Sequence, residues 1–479
     1  MKIAVVGSGA AAHAVLLELA RLQPDALIHI YDAPAKSLPV AAPDTADDYD
    51  AVYAELKKQS GLKFPPPKVH FGRVVDSRPE TLLSDNWQQP GGLTNYWGAT
   101  CLPFLPSELK ALGLSREQLE PYYQRIGASI GIAGDDTSPL AQHYNHGFMT
   151  APAIRQLALF RKAEAAVNAG PEQGFIAGSN CLALDVGPTS NYSCTYCGHC
   201  LAGCYRQALF SSSSERSRQQ WPNSLSFRQG LVRDIDLEKL QLRYIDQGQR
   251  KTSPGYDRIF LAAGCIQSSA IIMRSLGLDS PVQLYDNAVV QFPILYTGPL
   301  PEAEADYFAL SQLLINCRNS GNQIQLYPFA DHLLRSAVPE WSWPRLQPIA
   351  TYLRRRLIIA RLYLHSNQSH RYSLQRQQDE ITMHKDREPK LYAARDDISA
   401  LGRQLRSAGF RVLGALKVGT STSSHFASSI ATSAGIPAAS GQLANGIYCC
   451  DGAMFPESPA TSPTFTIMAN AARIAEAAL

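Results

Sequence analysis

The chain has 479 residues, which is long enough for two domains around a large buried interior. It carries 44 Lys and Arg residues against 41 Asp and Glu residues, so its net charge of +3 offers no strong field for recruiting nucleic acid. No stretch reaches the roughly 18 uncharged apolar residues of a membrane-spanning helix, and no secretory signal precedes the first apolar segment. We therefore expect a cytoplasmic globular protein that does not bind nucleic acid.

The amino terminus predicts a strand, a glycine turn and a helix. Residues Lys2 to Val6 are apolar, the turn reads GSGAAA, and apolar residues then recur with helical spacing. Gly7 allows a tight turn, Gly9 lets the backbone approach a pyrophosphate, and Ala12 is small enough for close packing of the helix on the strand. The amino terminus of the helix that follows would face the phosphates.

A second apolar strand, Ala26 to Tyr31, leads into Asp32. An acid about 20 residues beyond a glycine turn accepts hydrogen bonds from the hydroxyls of an adenosine ribose, and its charge disfavours NADP. Strand, turn and acid together indicate a dinucleotide site, with a tight turn in an ordinary α/β core as the structural alternative. The motif by itself does not separate NAD from FAD.

Four further sequence blocks decide between these cofactors. Residues 91–98 read GGLTNYWG, residues 261–269 read LAAGCIQSS, residues 448–456 read YCCDGAMFP, and residues 462–470 read SPTFTIMAN. Together with a helical region at 105–134, these blocks resemble, in the same order, the glucose-methanol-choline (GMC) family of FAD-dependent oxidoreductases. The resemblance covers most of the chain.

The resemblance implies an α/β nucleotide-binding (Rossmann-like, GMC/FAD-type) domain and an α+β substrate domain with an antiparallel sheet. The FAD-binding domain would be discontinuous: residues 1–285, with an inserted helical segment at 101–150 and a cysteine cluster at 194–204, and a carboxyl-terminal return over 411–479. Residues 286–410 would form the substrate domain. Its β-like runs are Ala288 to Leu295, Gln323 to Tyr327 and Leu357 to His365.

The resemblance also implies which residues contact FAD, and non-covalent attachment is the default because no histidine stands in the glycine-rich segment. The implied contacts are Gly7, Gly9, Ala10, Ala12, Asp32, Gly92, Thr94, Asn95, Trp97, Val232, Ala263, Gly264, Asp451, Gly452, Thr464 and Thr466.

Oxidation of an alcohol needs a base that takes the hydroxyl proton as the hydride leaves. His425, in the segment SHFASS, occupies the place of the family's catalytic histidine and is the expected base. The family's second catalytic residue, an Asn or His before Pro, is replaced by Ser462 before Pro463. A serine can contact a substrate oxygen but cannot serve as a base like His. The structural alternatives are a hydrogen-bonded loop histidine for His425 and a helix N-cap for Ser462.

The segment CTYCGHCLAGC contains four of the ten cysteines, with ferredoxin-like spacing. We expect Cys194, Cys197, Cys200 and Cys204 to ligate an iron–sulfur cluster, with [4Fe-4S] as the leading type. A three-iron [3Fe-4S] cluster, or a fourth ligand from Cys181 or another distant cysteine, remains open. Structural zinc is the rival site, although zinc sites usually divide into two separated Cys pairs. Four reduced thiols without a metal are the remaining alternative.

These features predict a GMC-type FAD-dependent dehydrogenase that oxidises a hydroxyl of a sugar, polyol or other alcohol. Electrons would leave through the cluster to an external acceptor, a redox protein or a quinone. A reductase with inward electron flow and a non-enzymatic redox carrier or sensor are the alternatives. The basic, aromatic segment 341–364 either touches the inner face of the membrane or forms a proline-initiated surface helix that runs into a strand.

Overall fold

The computed structural model describes residues 1–32, 90–95, 97–144, 147–170, 174–188, 190–198, 200, 204, 206–299, 307–330, 340–413 and 420–479. The helices are α1 Ala10–Leu22, α2 Pro106–Lys110, α3 Arg116–Ile130, α4 Pro139–Tyr144, α5 Ala158–Ala169, α6 Glu215–Arg218, α7 Cys265–Leu276, α8 Trp343–Arg354, α9 Tyr392–Arg406, α10 Ile430–Ser433 and α11 Thr464–Ala477. Short 3-10 helices span Gly92–Asn95, Glu340–Ser342, Ser366–Gln368 and Gly452–Met454.

The strands fall into several sheets. They are β1 Lys2–Val6, β2 Leu27–Asp32, β3 Ile132–Ala133, β4 Phe175–Ser179, β5 Leu182–Ala183, β6 Leu225–Gln229, β7 Leu231–Asp236, β8 Gln241–Asp246, β9 Gln249–Thr252, β10 Arg258–Leu261, β11 Val282–Tyr285, β12 Ala288–Tyr296, β13 Leu313–Cys317, β14 Asn322–Pro328, β15 Leu357–Tyr363, β16 Arg371–Gln377, β17 Glu380–Arg387, β18 Phe410–Val412, β19 Thr420–Thr422, β20 Ala427–Ser428, β21 Gln442–Ala444 and β22 Ile447–Cys449.

A six-stranded sheet carries the glycine turn. Its order is β21-β22-β10-β1-β2-β6, with parallel pairing from β22 to β6 and antiparallel pairing of β21 with β22. Helices α1 and α11 pack against each other over this sheet. The strands come from the two ends and the middle of the chain, and because five of them are parallel, the loops at their carboxyl ends meet at one edge. That edge is where open α/β sheets bind ligands.

A seven-stranded antiparallel sheet forms the second layer. Its order is β18-β12-β15-β14-β13-β4, and β19 pairs with β12. Side chains alternate along β14 and β15, so that Ile324, Leu326 and Ala360 join an apolar core with α5 and α9. The opposite face carries polar and aromatic residues, among them Tyr327 and Arg361. The strands predicted at 288–295, 323–327 and 357–365 are therefore present as β12, β14 and β15.

This sheet draws on more of the chain than the range 286–410. Strand β4 pairs with β13, and β18 pairs with the outer part of β12. A four-stranded antiparallel sheet, β17-β16-β11-β20, likewise joins segments from both sides of the range. Such long-range pairs depend on hydrogen-bonding partners across the fold, and no local sequence pattern specifies them.

The predicted helical region at 105–134 contains α2 and α3. Ser115 caps α3 in a reciprocal pair with Gln118, and the helix ends at Gly131 in a left-handed conformation (φ 72°). Arg125 of α3 reaches Glu18 of α1 at 2.9 Å and Glu476 of α11 at 2.7 Å. These ion pairs hold the helical region against the nucleotide-binding layer.

The basic, aromatic segment consists of α8, with Pro344 in its first turn, followed by β15. Trp341, before the helix, is 74% exposed. In the ranges that the structure describes, no helix combines the length and apolarity needed to span a bilayer.

Candidate active site

The glycine turn after β1 has the geometry that a pyrophosphate site needs. Gly7 has a φ of 98°, and a Cβ there would lie 2.4 Å from the carbonyl oxygen of Ala262, so only glycine fits. At Gly9, which precedes α1, the nearest atom to such a Cβ is the carbonyl oxygen of Gly91, 4.0 Å away. The backbone at the start of α1 is therefore open to an approaching phosphate.

Asp32 ends β2, and β7, which carries Val232, contacts that strand. The Ser8 hydroxyl donates a hydrogen bond to the carboxylate of Asp32, and the Gly230 amide donates to its carbonyl oxygen at 2.8 Å. Val232, near the start of β7, is buried in an apolar cluster that includes Tyr31 of β2. Ser8, which the sequence reasoning did not single out, thus orients the predicted acid.

A serine-rich loop holds Thr94 and Asn95. The Thr94 hydroxyl accepts from the Ser212 amide at 3.1 Å, and the Asn95 side-chain oxygen accepts from the hydroxyls of Ser211 and Ser213, each at 2.6 Å. Both side chains are therefore hydrogen-bonded to the serine loop of the same chain. Sequence reasoning missed this loop, whose one signal was its run of serines.

The neighbouring residues of the same segment face inward. The Trp97 indole donates to the carbonyl oxygen of Phe210 at 2.8 Å. A Cβ at Gly92 would lie 3.7 Å from the Cα of Gly9, so the segment passes directly over the glycine turn. This contact joins the second predicted block to the first.

Asp451 connects the carboxyl-terminal block to the turn after β10. Its carboxylate accepts from the Gly264 amide at 2.8 Å, the Ser268 hydroxyl at 2.5 Å and the Ala453 amide at 2.9 Å. Burial raises the pKa of this carboxyl group, and these donors oppose the rise. Ala263 precedes the turn. The predicted cofactor residues 263, 264, 451 and 452 are therefore adjacent in space.

Helix α11 begins at Thr464 with Pro463 as its N-cap residue, so the buried Ser462 does not cap it. The Thr466 hydroxyl bonds the Tyr123 hydroxyl at 2.8 Å and accepts from the Phe104 amide. Its side chain is thus engaged with the helical region.

His425 lies beside this carboxyl-terminal block. A Cβ at Gly452 would lie 2.9 Å from the carbonyl oxygen of Phe426, which places the histidine segment directly against it. Nδ1 of His425 is buried and has no hydrogen-bond partner among the described residues. Burial, with a smaller effect of the Arg361 guanidinium, lowers the pKa of His425 from 6.5 to about 4. The imidazole is therefore neutral at neutral pH and can accept a proton.

The polar face of the seven-stranded sheet supplies the wall opposite His425. The guanidinium carbon of Arg361 lies 5.6 Å from the ring centroid of Tyr327 and 5.8 Å from that of Tyr363. The Tyr327 hydroxyl donates to Gln325 at 2.7 Å. A Cβ at Gly98 would lie 3.4 Å from the same hydroxyl, so this wall borders the Gly91–Gly98 segment. Sequence reasoning missed these residues, although strand alternation placed them on one face.

The four clustered cysteines lie in one partly buried loop region, with Cys197 exposed. The Tyr196 amide donates to the Cys194 sulfur at 3.4 Å. Burial, with smaller effects of the nearby Cys204 and Cys197, raises the pKa of Cys194 to about 12. Within the described part of the chain, no three His, Cys, Asp or Glu side chains converge in an arrangement able to hold a metal ion. Residues 199, 201–203 and 205 lie outside the described residues.

No protein-family model and no curated protein sequence match the chain. Its fold is nevertheless similar to solved structures over nearly its whole length. Pyridoxine 4-oxidase from Mesorbium loti is 15% identical with a TM-score of 0.59, over 99% of this chain and 98% of that chain. A formate oxidase variant from Aspergillus oryzae RIB40 is 11% identical with a TM-score of 0.58, over 99% and 97% of the respective chains. An FAD-dependent oxidoreductase from Chaetomium thermophilum is 13% identical with a TM-score of 0.58, over 99% and 98%.

The predicted combination of an α/β nucleotide-binding layer with an antiparallel substrate-side sheet is thus confirmed, and the chain shares the fold of these oxidases and FAD-dependent oxidoreductases.

Proposed function

We propose that the protein is an FAD-dependent oxidoreductase that oxidises a CH–OH group of a small molecule to a carbonyl. The observation that carries this proposal is the position of His425: a neutral imidazole with an unpaired Nδ1, set against the carboxyl-terminal block. A buried base with one free nitrogen suits the removal of a hydroxyl proton. The names of the structural neighbours, two oxidases and an FAD-dependent oxidoreductase, agree with this reaction class.

The residues around the glycine turn fit FAD. The open backbone at Gly9 and the amino terminus of α1 would hold the pyrophosphate, and Asp32 would accept from the ribose hydroxyls. Gly264 has a φ of 87°, and no atom lies within 4 Å of a Cβ built there, which leaves room for a ligand beside the Asp451 turn. Bound FAD would supply a two-electron acceptor for the hydride.

His425 would take the hydroxyl proton of the substrate, while the carbon-bound hydrogen leaves with its electron pair to FAD. The charges balance, because the alcohol loses one proton and one hydride and becomes a carbonyl compound. Ser462, buried at the start of the final helix segment, is proposed as a second polar contact to the substrate oxygen.

The test is anaerobic reduction of the FAD-loaded enzyme by a panel of sugars, polyols and simple alcohols. The loss of oxidised flavin absorbance measures the reduction. We expect at least one alcohol to bleach the flavin, and His425→Gln to slow that reaction by about 10²- to 10⁴-fold. His384→Gln is the matched control, because His384 lies on β17 and bonds Thr382. A panel that reduces no flavin, or an unchanged rate in His425→Gln, would reject the proposal and favour a carrier or sensor.

We further propose that Cys194, Cys197, Cys200 and Cys204 hold an iron–sulfur cluster. The proposal is supported by their spacing, by the mutual effect of their thiols on one another's pKa, and by the Tyr196 amide aimed at a sulfur. A cluster there would offer a one-electron exit toward an external acceptor, a redox protein or a quinone.

Iron, sulfide and zinc analysis of protein purified without oxygen tests this second proposal. We expect about four irons and four sulfides per chain, their loss in Cys194→Ser, and their retention in Cys317→Ala, whose thiol is buried in the apolar core of the large sheet. Zinc without sulfide would indicate a structural zinc site. Absence of both would leave direct transfer from flavin to oxygen as the route, detected as peroxide release.

A further inference from the structure

The guanidinium of Arg361 lies on the polar face of the large sheet, and no carboxylate in the described ranges pairs with it. In the register of this sheet it lies between Gln291 of β12 and Gln325 of β14. Its Nε is buried and has no hydrogen-bond partner among the described residues, and no carboxylate there acts on its charge. The carboxylate of Glu457, which follows the block 448–456, instead affects the pKa values of His365 and Glu108.

Two other partly buried arginines have oxygen acceptors for part of the guanidinium, although Nε of Arg356, like that of Arg361, has no hydrogen-bond partner among the described residues. Arg216 pairs with Asp185 at 3.1 Å, and Arg356 donates to the carbonyl oxygens of Tyr296 and Gly298 at 3.0 and 2.9 Å. Arg361 instead has the rings of Tyr327 and Tyr363 near it, 5.6 and 5.8 Å from its guanidinium carbon, and the Tyr327 hydroxyl as a hydrogen-bond partner. Rings stabilise the flat faces of a guanidinium, but its N–H groups lie at the edge and need acceptors.

A second observation places this cation in the active site. The Tyr363 ring stacks on the imidazole of His425, with centroids 5.9 Å apart, and the same ring lies beside Arg361. The proposed base and Arg361 therefore both lie beside one tyrosine. Because the charge of Arg361 also acts on His425, an anion bound at Arg361 would lie near a hydroxyl presented to His425.

We propose that the substrate is a hydroxy acid, whose carboxylate binds Arg361 while its hydroxyl faces His425. This inference rests on the proposed function and specifies its substrate class. A carboxylate supplies two acceptors in the plane of a guanidinium fork, which neutral alcohols lack. The hydroxyl proton passes to His425, the hydride passes to FAD, and the product is the corresponding oxo acid with its carboxylate unchanged.

Binding of unreactive acids tests the anion site without any turnover. Benzoate and acetate are titrated calorimetrically into the FAD-loaded enzyme and compared with their neutral isosteres, benzamide and acetamide. We expect the acids to bind roughly tenfold more tightly or better, the effect of one charge-assisted pair. Equal binding of acid and amide by the wild-type enzyme overturns the proposal and needs no variant.

Two substitutions test whether Arg361 causes the preference for acids over amides. Arg361→Gln should abolish the preference for acids, while Arg361→Lys should keep part of it because the charge remains. Arg250→Gln is the control, since Arg250 is highly exposed on β9 and pairs with Asp379. A preference that survives in Arg361→Gln overturns the assignment. Thermal unfolding of each variant shows whether it is folded.

Turnover separates this inference from the reaction class on which it rests. Glycolate, lactate and mandelate are compared with the matching neutral diols as reductants of the flavin. Oxidation of neutral alcohols without any preference for acids would reject the hydroxy-acid proposal but agree with FAD-dependent oxidation of a CH–OH group. Acid binding through Arg361 without oxidation of any hydroxyl compound would instead remove the reaction class.

Discussion

The imidazole of His425 lies nearly parallel to the phenol ring of Tyr363, with centroids 5.9 Å apart and planes inclined by 18°. The two residues come from different parts of the chain: Tyr363 ends a strand of the large sheet, and His425 precedes the short strand β20. Stacking leaves the edge of the imidazole, which carries both nitrogens, directed away from the tyrosine. The strand thus orients the proposed base.

This contact predicts the effect of changing Tyr363. Tyr363→Leu removes the flat surface, so the imidazole can rotate, and we expect a roughly ten- to hundredfold slower flavin reduction because misplaced groups lose rate steeply. Tyr363→Phe keeps the ring and should stay close to the wild-type rate. Stopped-flow reduction by a fixed alcohol measures both. Equal rates for the Leu and Phe variants would contradict an orienting role.

The pH dependence of activity follows from the lowered pKa of His425. Burial and the Arg361 guanidinium bring this pKa from 6.5 to about 4, so the base is neutral and active above pH 4 and loses activity as pH falls through that value. Arg361→Gln removes the positive neighbour and should move the acid limb to higher pH. Because burial lowers the pKa of His425 more than Arg361 does, the variant should recover only part of the difference, and the acid limb of its pH profile should stay below pH 6.5.

The measurement is the flavin reduction rate against pH, with a neutral alcohol so that substrate charge does not change. Arg361 is the titratable group that lowers this pKa together with burial, and Tyr363 stacks on the ring. The exposed Arg250→Gln variant should keep the wild-type limb. An acid limb at 6.5 in the wild-type enzyme would show that His425 is solvated or is not the base.

Two glycines of the first turn should respond differently to substitution by alanine. Gly7→Ala places a Cβ 2.4 Å from the Ala262 carbonyl oxygen in a left-handed backbone, so we expect a loss of stability on the order of 1–3 kcal/mol or more and loss of FAD binding. Gly9→Ala meets no atom closer than 4.0 Å and should fold normally. Its methyl group would point into the proposed pyrophosphate site and weaken FAD binding. Thermal unfolding with and without added FAD distinguishes the two effects.

Asp451 should be sensitive to replacement of its charge by an amide. Asp451→Asn replaces one carboxylate oxygen, an acceptor, with an NH₂ group, which is a donor and faces amide and hydroxyl donors. A buried donor is then left without an acceptor, which should lower the free energy of unfolding by about 1–3 kcal/mol. Ser268→Ala removes one donor and should cost less. Chemical denaturation of both variants gives the comparison, and equal losses would mean that the Gly264 and Ala453 amides contribute little.

Local sequence patterns determined much of the nucleotide-binding layer. A strand followed by Gly7 and Gly9 requires a tight turn and an exposed helix start, because backbone conformation and side-chain size act within a few residues. The same holds for the alternating strands β14 and β15 and for the helices near 105–134. The order of the blocks along the chain indicated the family fold, which the solved neighbours confirm at 11–15% identity.

Only the tertiary structure decided which of these segments meet. The serine loop that holds Asn95, the donors around Asp451 and the pairing of β4 with β13 join residues far apart in sequence, and their partners depend on sheet register. Ser462 illustrates the same limit: the sequence allowed it to cap a helix, but the chain places Pro463 there. Arg361 was one arginine in a basic segment until β15 paired with β14 and β12 and turned it toward His425. Long-range pairing, which no local pattern encodes, therefore assembled the proposed substrate wall.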